Sequence, residues 1–455
     1  MPNTQPAGAG WRAGSPDATP GSQPSERNLG PGGAFSIGIG GIVGGGIFAT
    51  LGLAGSEARG ATYLSFIVGA VVALLTAYSY VRLSLRYPGK GGTVTFITHA
   101  FGDGLFPRAI NTLLVLSYVV IMALYASAFG TYAALLLTRS GIEIGPNALA
   151  SGIIVALAVL NFIGPRLVAA SGNLFNVGKL AILGVFIIAG LASGRLSFDR
   201  LGPADWVPPL DIVATGMLVF LSFEGFELIA NASDRIRKPA STLPLAYYGS
   251  ILTALALYVA IVIVAIGHLS FAALERAQST SLCAVAEVFM GRFGFILMAC
   301  GAMLATMSAI NSDFSGAAKL PVALAEQGEA PLRFTHEVWG RHPASLIMIT
   351  GLSLLVVNFA NLHAISAAAS GGFLLVFSVV NLGNARLAAE TRSRRWISIL
   401  AAICSLGALA TLLGQLAFHG QHNDSLLFMV ALAIFPFIYQ LLYRRISAWR
   451  KARRA

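Results

Sequence analysis

The feature that most constrains this chain is a succession of long stretches that contain no Asp, Glu, Lys or Arg. They run over 28–56, 60–81, 109–138, 144–165, 239–274, 293–312, 343–385, 396–423 and 425–443. A helix needs about 20 apolar residues to cross the hydrocarbon core, so each stretch suffices for one span. The stretch 343–385 is long enough for two, with His363 near the expected turn. Two more are interrupted only by charge: 172–192 by Lys179, and 212–232 by Glu224 and Glu227. Twelve spans are therefore expected, in an all-α membrane protein, because a helix satisfies its own backbone polar groups in lipid. Composition agrees, with 56% hydrophobic and 11% charged residues, where a soluble domain carries about 25% charge.

The basic residues give the orientation. With the N-terminus inside and twelve alternating spans, 23 of the 30 Lys and Arg fall on the inner side and six on the outer, leaving Lys179 within a span. Basic residues accumulate in short cytoplasmic loops, so both termini are expected in the cytoplasm of a cell-membrane protein. The net charge of +11 is spread between apolar runs, so nucleic acid is not an expected partner. The three cysteines, Cys283, Cys300 and Cys404, form no CxxC pair, and the seven histidines have no metal-ligand spacing. No metal, no cofactor and no enzymatic activity are expected: no nucleophile–base pair is visible in the spans. The expected organisation is a disordered cytoplasmic tail over 1–32, five spans over 33–192, five over 211–386, two over 396–443, and a basic cytoplasmic tail over 444–455.

Spans 1 and 6 carry helix-breaking sequence at corresponding places. Span 1 reads GIGGIVGGGIF over 38–48, six glycines in eleven positions, and span 6 reads FLSFEGFELIAN over 220–231, with Gly225 between two acids. Interrupted helices at matching positions of two halves point to a transporter's substrate site. A second reading of the glycines is close helix packing, which leaves the acidic pair unexplained.

Five motifs in order resemble the amino acid–polyamine–organocation superfamily of permeases, and within it the proton-coupled, sodium-independent, broad-specificity amino acid transporters. They are GGGIF at 44–48, Tyr87-Pro88-Gly89-Lys90-Gly91-Gly92, and Asn161-Phe162-Ile163-Gly164 followed by Lys179 in GKLAILGVFIIAGL. The other two are FLSFEGFELIANASDRIRKPASTLP at 220–244 and ALAEQGEAPLRF at 323–334. The resemblance covers about Gly33 to Arg445. It departs at Gly45, where many relatives have Ser, and at Arg82, where many have Glu. It implies a core of two inverted five-helix repeats with discontinuous helices 1 and 6, plus two peripheral helices, and uptake by alternating access.

For an amino acid substrate, the N–H groups of Val43, Gly44, Gly45 and Gly46 are the expected carboxylate donors at a half-helix N-terminus. The carbonyls of Ile39–Ile42 and Phe220–Phe223 are the expected ammonium acceptors. Ser222, Phe223 and Tyr118 would line the site, with Phe220, Phe223 and Phe226 serving as a wall or as plain packing. Glu224 reads either as a titratable group or ammonium partner, or as a carboxylate holding the break open. Glu227 is expected to face a helix partner or the cytoplasmic vestibule. A lysine within a span is costly, and one that exchanges its proton can couple transport to a pH gradient. The resemblance gives Lys179 that role, near Gly40 and Ser308 or Thr306. The competing reading is a lysine that snorkels to the interface. A polyamine or cationic amino acid exchanger and a non-transporting sensor remain alternative functions.

Overall fold

A computed structural model describes residues 27–89, 91–338, 342–418 and 423–452. Lys90, residues 1–26 of the expected N-terminal tail and residues 453–455 of the basic tail lie outside them. Among the described residues, ten helices are long and apolar enough to cross a membrane, and a bent helix pair counted as one span brings the number to eleven.

That pair is α1 (Pro31–Ile42) and α2 (Gly46–Glu57), joined at 48° across Val43–Gly45. Then come α3 (Thr62–Arg86), α4 (Gly92–Phe101), α5 (Leu105–Arg139), α6 (Pro146–Ile163) and α7 (Pro165–Ala192). The next span is α8 (Pro209–Val219), continued by two 3-10 segments, Phe220–Phe223 and Phe226–Arg235. It is followed by α9 (Pro239–His268), α10 (Phe271–Ala277), α11 (Ser281–Ala317) and α12 (Leu320–Glu326). Last are α13 (Pro343–Phe359), α14 (Leu362–Arg386), α15 (Ala388–Thr391), α16 (Arg395–Phe418) and α17 (Asn423–Ala452). Proline opens α1, α6, α7, α8, α9 and α13, where its missing N–H costs nothing and its fixed φ suits a helix start.

Three details differ from the sequence reading. The turn inside 343–385 falls at Ala360–Asn361, where Asn361 caps α14 by accepting from the Ala364 N–H at 2.7 Å. His363 instead lies within α14 and reaches Ser425 at 3.0 Å. The apolar run 239–274 stops as a helix at His268, and its remainder enters α10, which packs on α2. At the other end, Leu29 exchanges backbone bonds with Arg235 and Arg237, at 2.9 and 2.8 Å.

Burial sorts the helices. α5 is enclosed along most of its length, against α6, α11, α13, α14 and α17. By contrast α6, α7, α16 and α17 present Val159, Val177, Ile188, Ile403 and Leu427 outward, the apolar exterior that a bilayer requires. Polar pairs cross between helices: Asn161 donates to Asn311 at 3.0 Å, Asn381 to Thr76 at 3.1 Å, and Asn384 to Ser398 at 2.7 Å. Gln440 on α17 donates to Thr112 at 2.8 Å and to the Glu329 carbonyl at 3.0 Å. Such bonds between membrane helices contribute about 0.6–2 kcal/mol each, and the last three tie α16 and α17 to the rest.

Candidate functional site

The two broken spans cross at Gly41 and Gly225, backbone against backbone. A Cβ on Gly41 would meet the Gly225 carbonyl oxygen at 2.7 Å and its Cα at 2.9 Å. Gly225 adopts φ +110, a conformation that glycine alone enters without strain. Both features explain why these positions are glycine.

Around this crossing the break in span 1 is framed by side chains. A Cβ on Gly44 would meet Ala309 Cβ at 2.7 Å; one on Gly45 would meet Tyr125 Cδ1 at 2.6 Å and Thr306 Cγ2 at 2.9 Å. One on Gly46 would meet Ser222 Cα at 2.7 Å. The N–H of Val43 is bonded to the Ile39 carbonyl at 3.0 Å and that of Gly44 to the Ile42 carbonyl at 2.8 Å. Gly45 and Gly46 open α2, where the first N–H groups of a helix have no intrahelical partner.

Carbonyls from the two breaks converge on Tyr258 of α9. Its hydroxyl lies 2.8 Å from the Ile42 oxygen and 2.9 Å from the Ser222 oxygen. The Ser222 hydroxyl pairs with that of Thr50 at 3.0 Å. Phe223 packs edge-on against Phe66 and Tyr258, and Phe220 against Phe377. Phe226 sits between Tyr80 and Phe377. All three rings of span 6 are buried.

The two acids of span 6 are held differently. Glu227, 1% exposed, accepts from the Tyr118 hydroxyl at 2.9 Å and from the Gly225 N–H at 2.9 Å. It is thus Glu227 that receives backbone N–H freed by the break, and Tyr118 is turned to it. Glu224 has one buried carboxylate oxygen with no hydrogen-bond partner among the described residues, and so has Asp313 on α11; the three acids lie within electrostatic reach of one another. Asp313 was visible in sequence only as the residue that ends the charge-free stretch at 312.

Lys179 is fully buried. Its Nζ donates to the Gly40 carbonyl at 2.8 Å and to Ser308 Oγ at 3.4 Å. Thr306 bonds back to Ala302 and Met303 of its own helix and turns its methyl to Gly45. Arg82 stacks over Tyr78 at 5.5 Å.

Broken helices meeting at a polar, buried crossing are the architecture of a small-molecule carrier, and the comparisons agree. A family model described as "Amino acid permease" matches residues 29–435. An uncharacterised protein of Methanocaldococcus jannaschii is 30% identical, over 91% of this chain and 94% of its own length. An inner membrane transport protein of Escherichia coli is 28% identical, over 92% and 97%. A methylthioribose transporter of Bacillus subtilis is 24% identical, over 76% and 78%. With the match running from before the first broken helix into the last span, the chain belongs to the amino acid permease family.

Proposed function

We propose that this permease takes up amino acids by alternating access across the cytoplasmic membrane, driven by protons and independent of sodium. The observation that carries the reading is Lys179. A fully buried amine on the Gly40 carbonyl of the broken span 1 puts one exchangeable positive charge against the helix that frames the substrate site. A monovalent cation bound there would be a sodium ion in a sodium-driven carrier; here the protein's own amine fills the role, and a proton is what it can gain or lose. Snorkelling does not fit a side chain with no exposure.

The carboxylate of the substrate would lie on the N–H groups of Gly45 and Gly46, with Val43 and Gly44 shaping the approach. Its ammonium would take the Ile42 and Ser222 carbonyls in place of Tyr258. Phe220 and Phe223 would back the site, and Glu224 would face it. α13, an apolar helix of 17 residues, would complete twelve spans, with spans 1–5 and 6–10 as inverted repeats and both termini cytoplasmic. The unpartnered oxygens of Glu224 and Asp313 favour a second reading in which a cationic amino acid or diamine is carried.

The test is uptake into proteoliposomes of a panel of labelled amino acids and polyamines. An inwardly directed proton gradient should drive accumulation, an equal sodium gradient should not, and Lys179→Ala should abolish the gradient-driven part. Accumulation by that variant under a pH gradient would refute the coupling.

A further inference from the structure

The Lys179 amine has a second layer of support that starts one helical turn away. Asn176, 8% exposed, lies three residues before Lys179 on α7 and so shares its face. Its Nδ2 donates to the Ser36 carbonyl and to Ser36 Oγ, each at 3.1 Å. A carbonyl oxygen can only accept, so the amide is oriented with its nitrogen toward α1 and its Oδ1 toward α11. There Ser308 donates its hydroxyl hydrogen to Asn176 Oδ1 at 3.2 Å. A hydroxyl has one hydrogen. Once it is given to Asn176, Ser308 faces Lys179 with lone pairs, which can only accept from Nζ.

We propose that Asn176 is a positioning residue for the coupling amine: it fixes the Ser308 hydroxyl as an acceptor for Lys179 and ties that arrangement to the first half of span 1 through Ser36. This rests on the reading of Lys179 as the proton-coupling group.

Gly40 supplies an independent sign. Its missing side chain is the space the amide occupies, since a Cβ there would meet Asn176 Nδ2 at 2.7 Å and Oδ1 at 3.1 Å. Gly40 thus serves twice, giving its carbonyl to Lys179 and its bare Cα to Asn176. The groups facing the amine are the Gly40 carbonyl on α1 and Ser308 on α11; among the described residues no carboxylate lies within 4.0 Å of it. With no carboxylate paired to it, the direction in which two dipoles point decides how well an ammonium is held.

The experiment is initial-rate uptake of a radiolabelled amino-acid mixture into proteoliposomes, read as a pH profile, for the wild type and five variants. Asn176→Leu keeps the bulk and frees the Ser308 hydroxyl to turn, so the midpoint of the profile should move toward acid by about half a pH unit or more. Asn176→Asp places a carboxylate beside the amine and should move it the other way. Ser308→Ala should shift it toward acid, and combining it with Asn176→Leu should add nothing, because both remove the same acceptor. Residues that merely hold the fold would change the rate and leave the midpoint. An unmoved midpoint in both Asn176 variants, with a pH-dependent wild type that Lys179→Ala silences, overturns the positioning role alone. A wild-type profile flat in pH overturns the proton reading itself.

Discussion

Gly225→Ala should damage this protein through the crossing of the two broken spans, and the size of the damage follows from two separate terms. The first is conformational. Gly225 sits at φ +110, where an L side chain is strained by about 1–3 kcal/mol. The second is steric. The new Cβ would lie 2.7 Å from both Gly41 Cα and Ile42 N, about 1 Å inside ordinary contact, and those are backbone atoms that cannot rotate away. Forcing such an overlap costs about 1–3 kcal/mol, for a total of about 2–6 kcal/mol. Two control glycines lack both terms: Gly184 on α7 has nothing within 4 Å of an added Cβ, and Gly249 on α9 has Phe35 at an ordinary 3.5 Å. Alanine there should be neutral or improve the helix by about 0.5–1 kcal/mol. In detergent, followed by thermal unfolding, Gly225→Ala should lower Tm by about 5 °C or more and suppress uptake, while the controls stay at or above the parent. A Gly225→Ala protein with the parent's Tm and uptake rate would refute the backbone-to-backbone crossing.

Other outcomes follow from the same geometry. Gly45→Ser pushes on Tyr125 and Thr306, so uptake should fall about tenfold or more while the purified protein remains folded by size-exclusion chromatography. Glu227→Gln keeps one acceptor for two donors, Tyr118 and Gly225, and should cost about 1–3 kcal/mol; in a double-mutant cycle on thermal stability, Tyr118→Phe should couple to it. Outside the spans, Glu329 is enclosed by Asn111 at 3.3 Å and Arg108 at 4.0 Å. Burial raises its carboxyl above the usual glutamate value, against the lowering action of Asn111 and Arg108. The folded protein therefore holds this proton more tightly than the unfolded chain, and the stability it contributes at acid pH is lost as pH rises through the raised value. Glu329→Gln should flatten that part of the Tm–pH curve.

The sequence showed the spans because lipid punishes charge. Where charge-free windows end, at Glu57, Arg139 or Arg386, helices end as well or nearly so. Both breaks were legible for a related reason, since six glycines in eleven residues and a glycine between two acids are poor material for a continuous helix. The site was less legible because its contacts join residues far apart in the chain. Tyr258 reaches the Ile42 carbonyl across 216 positions, and a backbone acceptor leaves no mark in the sequence. Asn176 looks like an ordinary polar interruption until Ser36 and Ser308 arrive beside it. Asp313 was read as a boundary because a charge next to a long apolar run marks either a helix end or a buried group, and only packing tells the two apart. The roles of Glu224 and Glu227 turned on which oxygen the Gly225 N–H meets, a choice between residues three apart. The helices α4 and α10 are too short to register as spans and surface only through what they pack on.

On the proposed reading of Lys179, three consecutive residues of span 1 connect proton and substrate. The Gly40 carbonyl takes Lys179 of α7, the Gly41 Cα lies on Gly225 of span 6, and the Ile42 carbonyl takes Tyr258 of α9. These contacts span three residues of one helix end, about 4.5 Å of rise, so α1 cannot swing away from one while keeping the others. On that reading, a proton leaving Lys179 would remove a charged donor from Gly40 and loosen the same segment whose next two residues meet Gly225 and Tyr258. Substrate at the Ile42 and Ser222 carbonyls would displace Tyr258 and act on that segment from the opposite side. Two ligands that bias one mechanical element are coupled by necessity, each changing the other's affinity by the same factor. Lys179→Ala should therefore alter the apparent affinity for substrate as well as the pH dependence. An affinity unchanged in that variant would mean that the segment 40–42 does not transmit between the two sites.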